Sequence, residues 1–124
     1  MKYTVDKKDR YTTITLNENN LNSVLAPDLK SKFIVFANEG TKNLILDLSH
    51  VKYVDSSGLS AILTANRLWK GDSSFILTGL HPSVKKLIQI SKLDAVLTII
   101  PSLSESVDFV MMGELERDLN REEE

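Results

Sequence analysis

The chain has 124 residues, 42% hydrophobic and 26% charged, which suits one ordinary globular domain with one core. Its formal net charge of −2 offers no basic footprint for nucleic acid, and the absence of cysteine excludes disulfides, thiol catalysis and cysteine-bound metal. Met1-Lys2-Tyr3-Thr4-Val5-Asp6 has no apolar signal core, and no run approaches the roughly 20 apolar residues a membrane span needs, so a cytoplasmic domain without membrane insertion is expected.

In chain order, Tyr3 to Asp6 reads as a short strand and Lys7-Lys8-Asp9-Arg10 as a charged turn. The β-branched and aromatic run Tyr11–Leu16 reads as a second strand hairpinned to the first. Asn17-Glu18-Asn19-Asn20 is a polar loop. Pro27 suits the first turn of a helix with Leu29, Phe33, Phe36 and Ala37 on its apolar face, ended by Gly40. Asn43–Asp47 is a strand, and Ser49–Tyr53 a link. A helix then runs to about Lys70, where Gly71-Asp72 breaks it. Ser74–Thr78 is a strand, Gly79-Leu80-His81 a turn, and Pro82 opens a helix carrying Val84, Leu87, Ile88 and Ser91. Leu97–Ile100 is a last strand closed by Pro101. Ser102 and Glu105 have capping-box spacing for a final helix whose inner face would be Val107, Val110, Met111 and Leu115. Residues 1–116 form the domain, and 117–124 a charged C-terminal tail that frays.

The order β-β-α-β-α-β-α-β-α predicts an α/β domain with a mixed, mostly parallel sheet and four helices. Runs such as Leu44-Ile45-Leu46 fit central strands covered by helices.

The segment richest in chemistry is Val54-Asp55-Ser56-Ser57-Gly58-Leu59, where a strand pattern gives way to a helical face of Leu59, Ile62, Leu63 and Asn66. Two hydroxyls and a glycine therefore sit at a helix N-terminus. Backbone N–H groups lack partners there and the helix dipole is positive, so a dianion is well tolerated. Serine and aspartate at helix starts are most often caps. A cap can also be phosphorylated, and the two readings are compatible.

Other chemistries find little support. His50 and His81 lack ligand spacing for zinc, no G-x-S-x-G elbow occurs, and no glycine-rich phosphate loop is present. Asp47 and Asp55 near strand ends suggest a response-regulator receiver. That chemistry needs an acidic pair after the first strand, where Asp6, Lys7, Lys8 and Asp9 are mixed. It also needs a lysine after a later strand, and Ile99-Ile100-Pro101-Ser102 offers none. Trp69, Phe33 and Phe36 are most simply packing residues.

Three segments together resemble the STAS domain, and most closely the bacterial anti-sigma factor antagonists. They are Leu44–Leu48 through Val54–Leu63, the stretch Leu21–Lys30 leading into the first helix, and Gly79–Ile88. With the matching element order, the resemblance spans nearly the whole chain as a single STAS-like domain. It implies a switch with no catalytic residues and no cofactor or metal. Its partners would be an anti-sigma factor that is also a serine kinase, and a phosphatase. Dephosphorylated protein would bind the kinase, and phosphorylation would release it. By position the acceptor is Ser56, and the partner-binding set is Asn22, Ser23, Val24, Asp55, Ser56, Ser57, Gly58 and Leu59. A monomer or weak dimer is expected. The family often has an aspartate in the loop before the first helix, within a G-x-L-D pattern; here Asn22 and Asn19 stand at the aspartate and glycine positions. A different class also fits the resemblance, namely a non-switching STAS adaptor subunit of a transport or signalling complex.

Overall fold

The computed structural model describes residues 1–123. Its strands are β1 (Tyr3–Lys7), β2 (Thr12–Leu16), β3 (Asn20–Leu21), β4 (Asn43–Asp47), β5 (Tyr53–Val54), β6 (Ser74–Thr78) and β7 (Thr98–Ile100). Its helices are α1 (Ala26–Asn38), α2 (Ser56–Leu68), α3 (Pro82–Ile90) and α4 (Leu103–Glu123).

Five strands form one sheet in the order β1-β2-β4-β6-β7. β1 and β2 pair antiparallel, with Tyr3 opposite Leu16, and all other pairs in this sheet are parallel. This is the mixed, mostly parallel sheet the element order predicts. Each crossover from β2 onward steps to the next strand in the same direction. Crossovers of one hand therefore deliver α1, α2 and α3 to the same face.

Side-chain alternation divides the core accordingly. Leu44, Leu46, Phe75 and Leu77 pack with Leu29 and Phe33 of α1, Ala61, Ile62 and Ala65 of α2, and Val84 and Ile88 of α3. Ile45 and Ile76 face the opposite way and pack with Val110 of α4. The strands β4 and β6 are thus covered on both faces, which explains their continuous apolar runs.

α4 departs from its expected orientation. Ser102 caps it as the spacing predicts: its hydroxyl accepts from the Glu105 N–H at 3.2 Å and donates to the Glu105 carboxylate at 3.0 Å. Val110 is buried and Val107 packs partly buried beside it, but the other buried positions are Ser106 and Glu114, while Met111 and Leu115 point to solvent. The cause is a polar anchor. The Asn43 side-chain amide donates to Glu114 Oε1 and to the Arg10 carbonyl, both at 2.7 Å. Arg10 Nη1 and Arg117 Nη2 donate to the same carboxylate at 3.0 and 3.2 Å. The expected boundary at residue 116 falls inside α4, and the charged stretch from 117 is helical through Glu123. Asp118 pairs with Arg10, and Arg121 with Asp118 and Asp72. Of the expected tail, residue 124 lies outside the described residues.

Candidate functional site

The serine motif sits where β4 has delivered the chain to the C-terminal end of the sheet. Two strands too short to show in the sequence fix it there. β3 and β5 pair in parallel, Asn20 with Tyr53 and Leu21 with Val54. The Asn19 carbonyl accepts from the Lys52 and Tyr53 N–H groups at 2.8 and 3.2 Å, and the Leu21 carbonyl from the Asp55 N–H at 3.2 Å. The loop before α1 and the serine turn before α2 therefore form one surface, although some 30 residues of chain separate them.

Asp55 is the N-cap of α2. Its backbone is extended, and its carboxylate accepts from the Gly58 N–H at 2.9 Å. Ser56 is then the first residue of the helix and is exposed, Ser57 is half-buried, and Leu59 packs partly against the core. Gly58 is buried beneath Leu21. It shapes the surface without being part of it.

On the opposite wall, Asn22 builds its own turn. Its side-chain oxygen accepts from the Val24 N–H at 3.1 Å, and its carbonyl accepts from the Leu25 and Ala26 N–H groups at 3.1 and 2.8 Å. Asn22 is half-buried by this arrangement, and Ser23 and Val24 stand out from it; Val24 is 79% exposed. The eight residues singled out from the sequence thus lie on adjoining turns, seven of them at the surface and one beneath it.

Two residues of the site escaped the sequence reading. Ser23, Ala26, Pro27, Lys30, Ser56, Ser57 and Ser60 line one cleft of about 290 Å³ between α1 and α2. Ser60 follows Ser56 by one helical turn, a spacing that could have found it. Lys30 is brought in only by packing of α1 against α2. It gives the cleft that Ser56 also lines a basic residue. The cleft can therefore accommodate negative charge from two sides, the α2 N-terminus and the lysine.

Asp47, the other acid considered for phosphoryl chemistry, is turned into its own loop. Its Oδ1 accepts from the Ser49 N–H at 2.9 Å. Gly79, with φ +71°, lies so close that a β-carbon there would be 2.9 Å from that oxygen. His81 Nε2 is 2.7 Å from the Ser49 carbonyl, in a separate cleft that His50 also lines. No helix among the described residues is long and apolar enough to cross a membrane.

Comparison with known proteins places the fold. The STAS domain family model matches residues 2–121. BtrV of Bordetella bronchiseptica, assigned as an anti-sigma factor antagonist, is 30% identical over 92 residues, which are 73% of this chain and 78% of BtrV. An anti-sigma factor antagonist from Mycobacterium paratuberculosis superposes with a TM-score of 0.81 at 20% identity, over 89% of this chain and 93% of that one. The phosphorylated form of the Bacillus cell-fate determinant SpoIIAA superposes with a TM-score of 0.68 at 20% identity, over 88% of this chain and 99% of that one.

Proposed function

The chain belongs to the STAS domain family, and from that premise we propose that it is an anti-sigma factor antagonist that works by partner switching at Ser56. In this reading the dephosphorylated protein binds an anti-sigma factor that is also a serine kinase. Phosphorylation of Ser56 by that kinase ends the complex, and a phosphatase resets the cycle. The observation that carries the reading is the placement of Ser56: exposed, first in α2, and continuous with the Asn22–Val24 turn across the β3–β5 bridge.

The physics of such a switch follows from that placement. A phosphoserine brings roughly −1.5 to −2 charge at pH 7. At a helix N-terminus this is stabilised by about 0.3–2 kcal/mol, so the fold itself tolerates it. Against a partner surface shaped for a hydroxyl, the dianion must be desolvated or set against like charge, at a cost of several kcal/mol. Since about 1.4 kcal/mol is a factor of ten in affinity, release by two decades or more is within reach. Asn22 gives the loop its own character. Where the family pattern often has a carboxylate, the side-chain oxygen here is held by the Val24 N–H and the exposed group is the Val24 side chain. The partner is expected to meet an apolar contact at this point.

The test is titration of the cognate kinase-type anti-sigma factor with wild-type, Ser56→Ala and Ser56→Asp proteins, with intact-mass analysis of protein from its own cells. Tight binding by wild type and Ser56→Ala, binding weakened at least a hundredfold by Ser56→Asp, and phosphate located on Ser56 are expected. Equal binding by all three variants, with no phosphate under any growth condition, would sink the switch and favour a constitutive adaptor.

A further inference from the structure

We propose that the outward face of α4 is a second docking surface, and that its occupant is a basic amphipathic helix of a partner protein. The helix is apolar on two sides. One side buries Val110, with Ser106 and Glu114, against the sheet. Met111, Met112, Leu115 and Leu119 lie on the other side, 44%, 57%, 52% and 51% exposed. At 100° per residue these four form one stripe centred nearly opposite Val110, over the last three turns of the helix. A soluble helix ordinarily carries polar residues there, and a contiguous exposed apolar stripe marks an interaction site.

Charge decides the occupant. Asp108, Glu116 and Glu122 border or interrupt the stripe, and all three are exposed. The helix's two basic residues face the other way, Arg117 toward Glu114 and Arg121 toward Asp118 and Asp72. The cations that line a cleft with Met111 are also engaged: Lys7 with Glu39, Lys8 with Asp6, and Arg10 with Glu114 and Asp118. A second copy of α4 laid on this stripe in either direction would set carboxylates against carboxylates, and an anionic membrane surface would be repelled in the same way. A helix with leucine-type anchors at i, i+4 and i+7 and lysine or arginine beside them satisfies both the apolar stripe and its acidic border.

The location makes this surface independent of the Ser56 site. α4 starts at the C-terminal end of β7 and reaches Asn43, the first residue of β4, at Glu114. The stripe therefore lies toward the end of the sheet away from the serine turn, and a partner seated there leaves Ser56 free. This inference does not rest on partner switching.

The experiment titrates the full chain with a synthetic 18-residue peptide that places leucines at i, i+4, i+7 and i+11 among lysines. Controls are a scrambled peptide of the same composition and a version with glutamate for lysine. The designed peptide is expected to bind at least tenfold tighter than either control. The Met112→Ser/Leu115→Ser/Leu119→Ser variant, which changes only exposed positions, should lose that binding while keeping its circular dichroism. Asp108→Lys/Glu116→Lys should invert the preference toward the glutamate peptide. Equal binding of the scrambled peptide, unchanged binding by the triple serine variant, or a dimer in sedimentation equilibrium that this variant abolishes would each overturn the proposal.

Discussion

Gly58 lies so close beneath Leu21 that no side chain fits between them. A β-carbon at residue 58 would collide with the Leu21 carbonyl oxygen, with Leu21 Cγ at 2.8 Å and Val54 Cγ1 at 2.9 Å. Elsewhere in a helix, glycine to alanine is stabilising by roughly 1 kcal/mol. Here the sign reverses, because the nearest obstructing atom, the Leu21 carbonyl oxygen, belongs to a backbone held by β3–β5 pairing, and the other two belong to side chains of the same strand pair. Gly58→Ala is expected to destabilise by about 1–3 kcal/mol, the usual range for overpacking. The displaced Leu21 carbonyl also accepts from the Asp55 N–H, so the shift reaches the cap and the Asn22–Val24 turn. Urea unfolding measures the first effect and amide chemical shifts of residues 22–24 the second. A variant as stable as wild type with unmoved shifts would refute the steric account.

Asp55 separates stability from switching. Its carboxylate accepts from the Gly58 N–H at 2.9 Å, so Asp55→Ala removes a helix cap at a cost of about 0.5–2 kcal/mol. Asp55→Asn keeps an acceptor and should recover most of that loss. If Asp55 is only a cap, partner affinity follows stability and both are restored together. Recovery of the melting temperature without recovery of binding would show that the negative charge itself contacts the partner.

The large elements were legible because their signals are local. Alternation marks β2, prolines open α1 and α3, and Gly40 and Gly71 close what precedes them. β3 and β5 carry no such signal: two residues cannot display a period, and each strand exists only because the other is present. The same reason hid Lys30, which joins Ser56 through helix packing. For α4 the pattern misled. Apolar residues at 111 and 115 read as inward, whereas the helix turns Glu114 inward to meet Asn43 and Arg10, partners 71 and 104 residues away. The partners of the charged run after 116 were hidden for a related reason, since Arg10 and Asp72 are remote in sequence from Asp118 and Arg121.

Lys30 should be felt by a phosphate on Ser56. The two residues line one cleft, and a nearby cation favours the more highly charged form of an acid. The second ionisation of the phosphoserine, near pH 6 in free form, is therefore expected at a lower pH in the wild type than in Lys30→Met. Phosphorus NMR of the singly phosphorylated protein across pH 4–8 reads this directly. It does not depend on which partner the protein binds. Identical titrations in the two proteins would show that the lysine does not reach the phosphate and that the helix N-terminus acts alone.

The Glu114 network gives the fold a pH dependence of defined sign. Burial alone would raise the Glu114 pKa. The Asn43 amide, the Arg117 guanidinium and the charge of Lys42 outweigh it, and the carboxyl is held below its usual value of 4.5. A group whose pKa is depressed by folding contributes stability that is fully present above its unfolded value and is lost as pH falls through the folded one. The wild type should therefore lose stability below about pH 4.5, as the carboxyl that anchors α4 to the start of β4 takes up its proton. Glu114→Gln keeps an acceptor for Asn43 but not the charge facing Arg10 and Arg117. It is expected to be less stable by about 1–3 kcal/mol at pH 7, in the range of hydrogen bonds to charged groups. The gap should narrow as pH falls from 4.5 through the lower folded pKa, because protonation then takes the same charge from the wild type. Urea unfolding of both proteins from pH 3 to 7 tests this. Parallel stability curves, with a constant gap, would mean that Glu114 is not the group whose protonation loosens α4.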